Sequence, residues 1–455
     1  MNFIDTLPIN QLIKNLSEKK GSVINFDELK IELQSKQENG LPKYNINVKE
    51  YEDLGIIYYN NLPENNNLDH YFENIEVTCR SYIIEKKSLK PIASQYNKIL
   101  YNNDAKEYLK QVKWENVKIQ KCYEGTMLLV FNYNDKWYVS TRRCLNASDS
   151  KWIKNKSYRE MFDEAMTGKF VFDDLNKEYC YFFILVHYKN KNLVNYNNFG
   201  KDYKELLHIL TTKKYSLEEI DYKINGLNYI DYENFENSEQ LYNSLDSISQ
   251  ENESNQNITD EGYILKVYNG EPFKSNFCVL KIQTNLYQKL SKMKPNNSNI
   301  HQIYLELYQQ GDLNEFLPYF TKYNNDIIKR IHFSMKNLSK ELLDLYHSTR
   351  QKKNPNIYSN LTEIYKKILY GLHGLYIDHK KKELVDIDKE TKENSRSVNI
   401  HDVYYFLKEL SAADLRQLYL DRTILMDNNN CQFLNKNCVY TMTQSMLMFR
   451  NFKNK

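Results

Sequence analysis

Lys121, Cys122, Glu124, Gly125 and Thr126 fall within one short run, KCYEGT, which places an amine, a thiol, a carboxylate and a hydroxyl side by side. Amines and thiols are the side chains that attack electrophiles once deprotonated. Gly125 permits a tight turn through which backbone can approach a ligand. The surrounding stretch is basic: from Arg80 to Glu160 there are 17 Lys/Arg against 8 Asp/Glu, a candidate anion-binding surface. A solvated lysine-rich face is the competing reading. From Ile224 to Leu265 there is no Lys or Arg, against nine acids. Tyr123, Phe131, Trp137, Tyr138 and Trp152 cluster around the same run. Aromatic faces stack on bases at about 1–3 kcal/mol each, although filling a strand core is the commoner use of such residues. The seven cysteines are scattered, with no CxxC pair, and His373 and His401 have no second ligand at helical spacing, so no metal site is expected. His187 and the strand cysteines Cys180 and Cys278 read as structural.

Elements must position these groups. Phe3 to Leu16 has helical spacing of apolar residues interrupted by Pro8. IEVTCRSYIIE alternates from Ile75. VKIQKCYEGTMLLVFNYNDKWYVSTRRCL reads as two strands joined at Asn132–Asp135, a hairpin. YCYFFILVHYKNKNLVNY reads as a strand, a turn at Lys189–Asn192 and a returning strand. DYKELLHIL has a helical period, while EGYILKVY and NFCVLKIQT read as strands. Glu236 to Asp260, rich in Ser, Asn, Gln and acids, reads as an exposed, mobile insertion. From about Ser298 every strong period is helical, and Ser411 to Asp414 could be a turn capping a helix.

With 455 residues the chain can form two or three domains. Its 39 Tyr and 41% apolar residues exclude a disordered composition, and the scarcity of Gly and Pro is consistent with AT-rich coding. There is no signal-like N-terminus and no apolar run of about 18 residues, so a soluble protein of a reducing compartment is expected, with no membrane partner.

Five fragments in order give a resemblance. Thr78 to Asn102 contains Arg80-Ser81 and Asn97-Lys98-Ile99-Leu100, and is similar to the entry segment of ATP-dependent RNA ligases of the T4 RNA ligase 1 type. Lys121 to Phe131 resembles nucleotidyltransferase motif I, with Glu124-Gly125-Thr126 matching its acid, glycine and hydroxyl. Thr141-Arg142-Arg143 falls where such ligases carry groups near the ribose and phosphate. Tyr181 to Tyr196 resembles motif III, Glu261-Gly262 motif IV, and LKIQTNLYQKL motif V, through Lys281, Thr284 and Tyr287. The resemblance implies an α+β fold: a ligase adenylation-type nucleotidyltransferase domain with antiparallel sheets, followed by an all-helical C-terminal domain. The expected divisions are an N-terminal segment 1–65, the nucleotidyltransferase domain 66–295 with its insertion at about 236–260, and a helical domain 296–455.

The same resemblance marks what has changed. Cys122 stands where the family keeps its nucleophilic lysine, Ile184 where motif III has a glutamate, and Gln283 where motif V has a second lysine. A cysteine is too short to replace the lysine. On a strand Lys121 faces away from a pocket that Cys122 faces, unless a β-bulge shifts the alternation. The expectation is a ligase-like, viral-type protein that no longer adenylylates itself and binds RNA, or a nucleotide or cap-like 5′ end. The candidate binding residues are Arg80, Lys98, Cys122, Tyr123, Glu124, Gly125, Thr126, Arg142, Arg143, Phe183, Glu261 and Lys281. One alternative is an active RNA ligase using Lys121, with ATP and Mg²⁺ as cofactors. Another is a structural or assembly protein with a vestigial pocket. The helical domain offers a surface for a protein partner, with simple domain packing as the plainer reading. The expected location is the cytoplasm, or a viral factory if the protein is viral.

Overall fold

The computed structural model describes residues 3–60, 73–153, 155–273, 275–297, 299–320, 325–350, 355–385 and 397–427. They divide into two compact units, Met1–Ser291 and Lys292–Lys455. The chain is mixed α+β, with its sheets in the first unit and a helical C-terminal region.

The first unit opens with α1 (Pro8–Lys20) and α2 (Phe26–Leu33). Pro8 takes the first helical position, where its missing N–H costs nothing, and so it starts the helix rather than interrupting it. Strands β1 (Ile46–Glu50) and β2 (Leu54–Tyr59) follow, then the short helix α3 (Ile75–Thr78), β3 (Tyr82–Glu85) and β4 (Pro91–Ser94). The four strands form one antiparallel sheet in the order β1-β2-β3-β4. Chain from both sides of position 65 therefore shares a sheet. The alternation from Ile75 begins as a helix because the Asn74 side chain accepts from the amides of Glu76 and Val77.

Next come β5 (Leu100–Tyr101), α4 (Asn102–Leu109), β6 (Val117–Cys122), β7 (Thr126–Tyr133) and β8 (Lys136–Ser140). The β7–β8 turn forms as expected: Asn134 and Asp135 both take positive φ, 50° and 60°, which a two-residue hairpin requires. A small hairpin, β9 (Lys151–Ile153) with β10 (Lys156–Ser157), leads to α5 (Tyr158–Met166), β11 (Tyr179–His187) and β12 (Lys204–Lys213). Here two expectations fail. The strand returning from β11 is not Leu193–Tyr196 but β12, which contains most of the segment expected to be helical. Strand β12 is central and buried along most of its length, and an apolar run buried on both faces loses the period-two signal.

Short strands β13 (Glu219–Ile220), β14 (Asn228–Tyr229) and β15 (Tyr232–Glu233) precede α6 (Ser238–Asn255), β16 (Gly262–Tyr268), β17 (Phe277–Gln283) and α7 (Asn285–Met293). The stretch 236–260, expected to be an exposed, mobile insertion, holds helix α6 with one side buried. Asn237 caps it, and Leu241 and Leu245, one turn apart, bury in the core.

Two sheets result, β15-β6-β16-β17-β5 and β13-β12-β11-β7-β8. The outer face of the first packs Val117, Ile119, Leu265 and Leu280 against α4 and α6. The outer face of the second packs Leu128, Val130, Phe183 and Leu206 against α5. The inner faces meet across a cleft. There Lys266, fully buried on β16, pairs with Glu219 of β13 at 2.7 Å, and the Tyr268 hydroxyl donates to the same carboxylate at 2.7 Å.

The second unit contains helices α8 (Ile300–Gln310), α9 (Leu313–Phe320), α10 (Asn325–Arg350), α11 (Pro355–Ser359), α12 (Glu363–Val385), α13 (Ile400–Glu409) and α14 (Ala412–Asp427). The Ser411 hydroxyl accepts from the Asp414 amide, capping α14. Buried Arg422 on α14 holds Glu341 on α10 through Nε and Nη2, at 3.0 and 2.8 Å. Among the described residues no helix is long and apolar enough to cross a membrane.

Candidate functional site

A cavity of about 150 Å³ lies in the cleft between the two large sheets. Gln120, Cys122, Ile264 and Lys281 border it from one sheet, and Met127 and Ile184 from the other. Pairing of β6 with β16 runs without a shift: Cys122 opposes Gly262, Lys121 opposes Tyr263 and Gln120 opposes Ile264. Val117 and Ile119 belong to the helix-covered core, so alternation sends Lys121 toward that side and Cys122 toward the cleft. Lys121 also borders the cavity, but its ammonium pairs with the Asp260 carboxylate, and its side chain remains 40% exposed. Burial works against its charge, but the hydrogen bond and charge of Asp260 prevail and raise its pKa. A lysine held as ammonium is a poor nucleophile.

Cys122 is buried, and its thiol donates to Glu261 Oε2 at 3.3 Å. Burial first, and the Glu261 charge second, push the thiol well above its usual range. Gln283 Nε2 donates to Glu261 Oε1 at 2.7 Å, and the Lys281 ammonium pairs with the same oxygen. Lys281 loses stability as a cation through burial, but the charges around it, Glu261 among them, outweigh this and raise its pKa. Gln283 is itself gripped at both ends. Its backbone N–H donates to Asn102 Oδ1 at 3.0 Å, and its side-chain oxygen accepts from Asn102 Nδ2 at 2.9 Å. The result is a connected run, Asn102–Gln283–Glu261–Cys122, with Lys281 supplying the one positive charge that Glu261 needs.

Two glycines let the backbones close in. A Cβ on Gly125 would lie 2.5 Å from the Ile184 side chain and 2.7 Å from the Leu185 carbonyl oxygen. Gly262, at φ 143°, leaves only 2.2 Å between a Cβ and the Ile282 carbonyl oxygen. Glu124 is committed to the backbone: its carboxylate accepts from the amides of Leu193 and Val194 at 2.7 and 2.8 Å. This tie holds residues 193–194 away from strand pairing.

Of the other residues singled out in the sequence, Arg80, Tyr123 and Gly125 border the cavity. Arg80 Nε is buried with no hydrogen-bond partner among the described residues. Phe183 does not reach the cleft. Its ring packs on Phe170 and Phe162 on the far side of the sheet, because Ile184 takes the inward position. Arg142 lies 4.9 Å from the Tyr59 ring centroid, and Lys49 donates to the Arg143 carbonyl oxygen at 2.8 Å, so this pair sits beside the first sheet. Lys98 and Thr126 do not border the cavity either, and Thr126 opposes Leu185 within its sheet. The aromatics mostly stack on other rings: Tyr123 on Tyr196, Phe131 on Tyr138, Trp137 on Phe172. Asn102, Asp260 and Tyr96, which complete the site, were not singled out. For Asp260 the available signal was its place beside Glu261. Among the described residues no group of three or more His, Cys, Asp or Glu could hold a metal ion.

No family model matches the chain. The immediate-early protein ICP-46 homolog of Invertebrate iridescent virus 3 is 28% identical over 137 residues, covering 27% of this chain. The match spans about a third, 31%, of that viral protein's own length. Among solved structures, a putative ATP-dependent DNA ligase from Aquifex aeolicus aligns over 73% of this chain and 80% of its own, at 11% identity and a TM-score of 0.36. An archaeal ATP-dependent RNA ligase aligns over 70% and 77%, at 10% identity and a TM-score of 0.38. Scores this low carry no functional argument, and the α+β assignment rests on the sheets described above.

Proposed function

We propose that this is a nucleotidyltransferase-fold protein of RNA-ligase type that binds an RNA or nucleotide-like 5′ end without forming a covalent protein–nucleotide bond. The observation that carries this reading is the direction of two adjacent side chains. Cys122 turns into the cleft and spends its proton on Glu261, while Lys121 is held as a cation by Asp260. Adenylylation needs a neutral amine in line with the α-phosphate, and the described cleft offers a protonated thiol there. A cavity of about 150 Å³ is below the ~300–1,000 Å³ typical of small-molecule pockets, so one terminal base ring would enter while phosphates stay outside. Arg80, with its Nε unpartnered, supplies a cation at that boundary.

The test is incubation of the full chain with labelled ATP or GTP and Mg²⁺, alongside binding of a 5′-phosphorylated RNA at two salt concentrations. No covalent adduct and saturable, salt-weakened RNA binding are expected. An adduct that disappears in Lys121→Ala would overturn the reading and make the protein an active ligase. The cavity's small size also favours a second reading, an assembly protein whose pocket is vestigial. Absence of saturable binding to RNA, nucleotide or cap analogue would select it.

A further inference from the structure

A second and larger cavity, about 770 Å³, lies elsewhere in the first unit and does not depend on the reading above. Gln95, Tyr96, Phe182, Thr212, Phe273 and Phe277 are among the residues that border it. Gln95 is 4% exposed, and both its amide nitrogen and its amide oxygen are buried without a hydrogen-bond partner among the described residues. The Asn276 side-chain oxygen at the same cavity is also buried and unpartnered. Buried amides in proteins are overwhelmingly satisfied, so an orphaned pair beside an open space calls for a missing partner.

The chemistry of that partner can be narrowed. A glutamine amide offers one donor and one acceptor side by side, the complement of a nucleobase edge. Glu73, Glu218 and Glu219 border the cavity, Glu219 paired with Lys266 and Glu218 with Lys213, and among the described residues that border it there is no Lys or Arg. A wall of paired acids with no bordering cation offers a phosphate no partner. Phe273, held at φ 66°, meets the Tyr232 and Tyr268 rings at an angle, each at 5.5 Å, and its 44% exposure leaves ring surface on which a flat heterocycle can stack. The tyrosine between the two cavities, Tyr96, borders both and stacks on Phe182 at 5.8 Å. We propose that this second cavity binds an uncharged nucleoside, free or within a strand, with the base edge read by Gln95 and the base face stacked on Phe273.

The test is calorimetric titration of the full chain with the four ribonucleosides, adenosine monophosphate and a short oligoadenylate lacking terminal phosphates. At least one nucleoside should bind saturably and weaken at least tenfold in both Gln95→Leu and Phe273→Ala. If adenosine is that nucleoside, its monophosphate should compete at least tenfold more weakly for the binding that Gln95→Leu removes. Gln95→Leu removes an unpartnered amide, so its melting temperature should stay level or rise, which separates lost binding from lost folding. Val171→Ala, exposed and bordering neither cavity, should bind the nucleoside as the parent does. Competition between the oligoadenylate and the nucleoside makes the ligand a base within a strand, and no competition makes it a free nucleoside; both support the site. No saturable nucleoside binding overturns the proposal. So does binding that Arg80→Gln abolishes and Gln95→Leu leaves intact, which would move it to the first cavity.

Discussion

The Cys122 thiol donates to the Glu261 carboxylate across 3.3 Å, at the point where β6 meets the start of β16. This contact places the thiol at the position that the ligase resemblance assigns to a nucleophile, in a setting that suppresses nucleophilicity. Burial and a neighbouring negative charge both favour the protonated form.

Cys122 should therefore be inert. Treating the folded protein with iodoacetamide at pH 7.5 should alkylate the half-buried Cys144 and leave Cys122 unmodified, while denaturation exposes both. Peptide mass spectrometry reads the outcome. Rapid labelling of Cys122 in the native state would mean that the thiol is activated.

The two glycines make a graded prediction. Gly125→Ala should cost about 1–3 kcal/mol in urea unfolding, since its Cβ meets the Ile184 Cγ2 methyl group and a carbonyl oxygen. Gly262→Ala should cost more, because its contacts are backbone and its φ of 143° is unfavourable for any side chain. Equal costs at the two sites would contradict the packing described.

Stability should fall on mild acidification through His208. Burial lowers its pKa from 6.5 to about 4, so between those values the unfolded chain takes up a proton that the folded chain refuses. Its contribution is complete above pH 6.5 and is lost as pH falls toward 4, by about 1.4 kcal/mol per unit at most. Urea midpoints at pH 7 and pH 5 should differ in the parent and differ less in His208→Gln.

Removing one partner of the Lys266–Glu219 pair should be severe. Lys266→Met alone leaves a buried carboxylate with fewer partners and should cost about 3–5 kcal/mol. The double variant Lys266→Met with Glu219→Leu should recover much of that loss, because two apolar groups need no partners. Additive losses in the double variant would show that the pair itself is not coupled.

What the residues disclosed in advance followed how local the deciding interaction was. The β7–β8 hairpin was legible because Asn134 and Asp135 carry the turn themselves. The outward direction of Lys121 followed from strand alternation alone. Strand β12 was not legible, since a central strand buried on both faces carries no alternation. Helix α6 hid because Leu241 and Leu245 are sparse anchors in a polar composition. The site was half visible for a similar reason. Cys122 and Glu261 stand in recognisable runs, but Asn102 meets Gln283 from 181 residues away. Glu124 looked available for a ligand until residues 193–194, expected to pair as a strand, proved to occupy it.

The cross-sheet contact of Lys266 with Glu219 has a mechanical meaning as well. Prising the sheets apart there would have to break a buried ammonium–carboxylate pair before water could reach either group, so the contact acts as a rivet. A riveted cleft cannot gape like a jaw to admit a bulky guest. Whatever enters must slide in edgewise and thin, and leave by the same route.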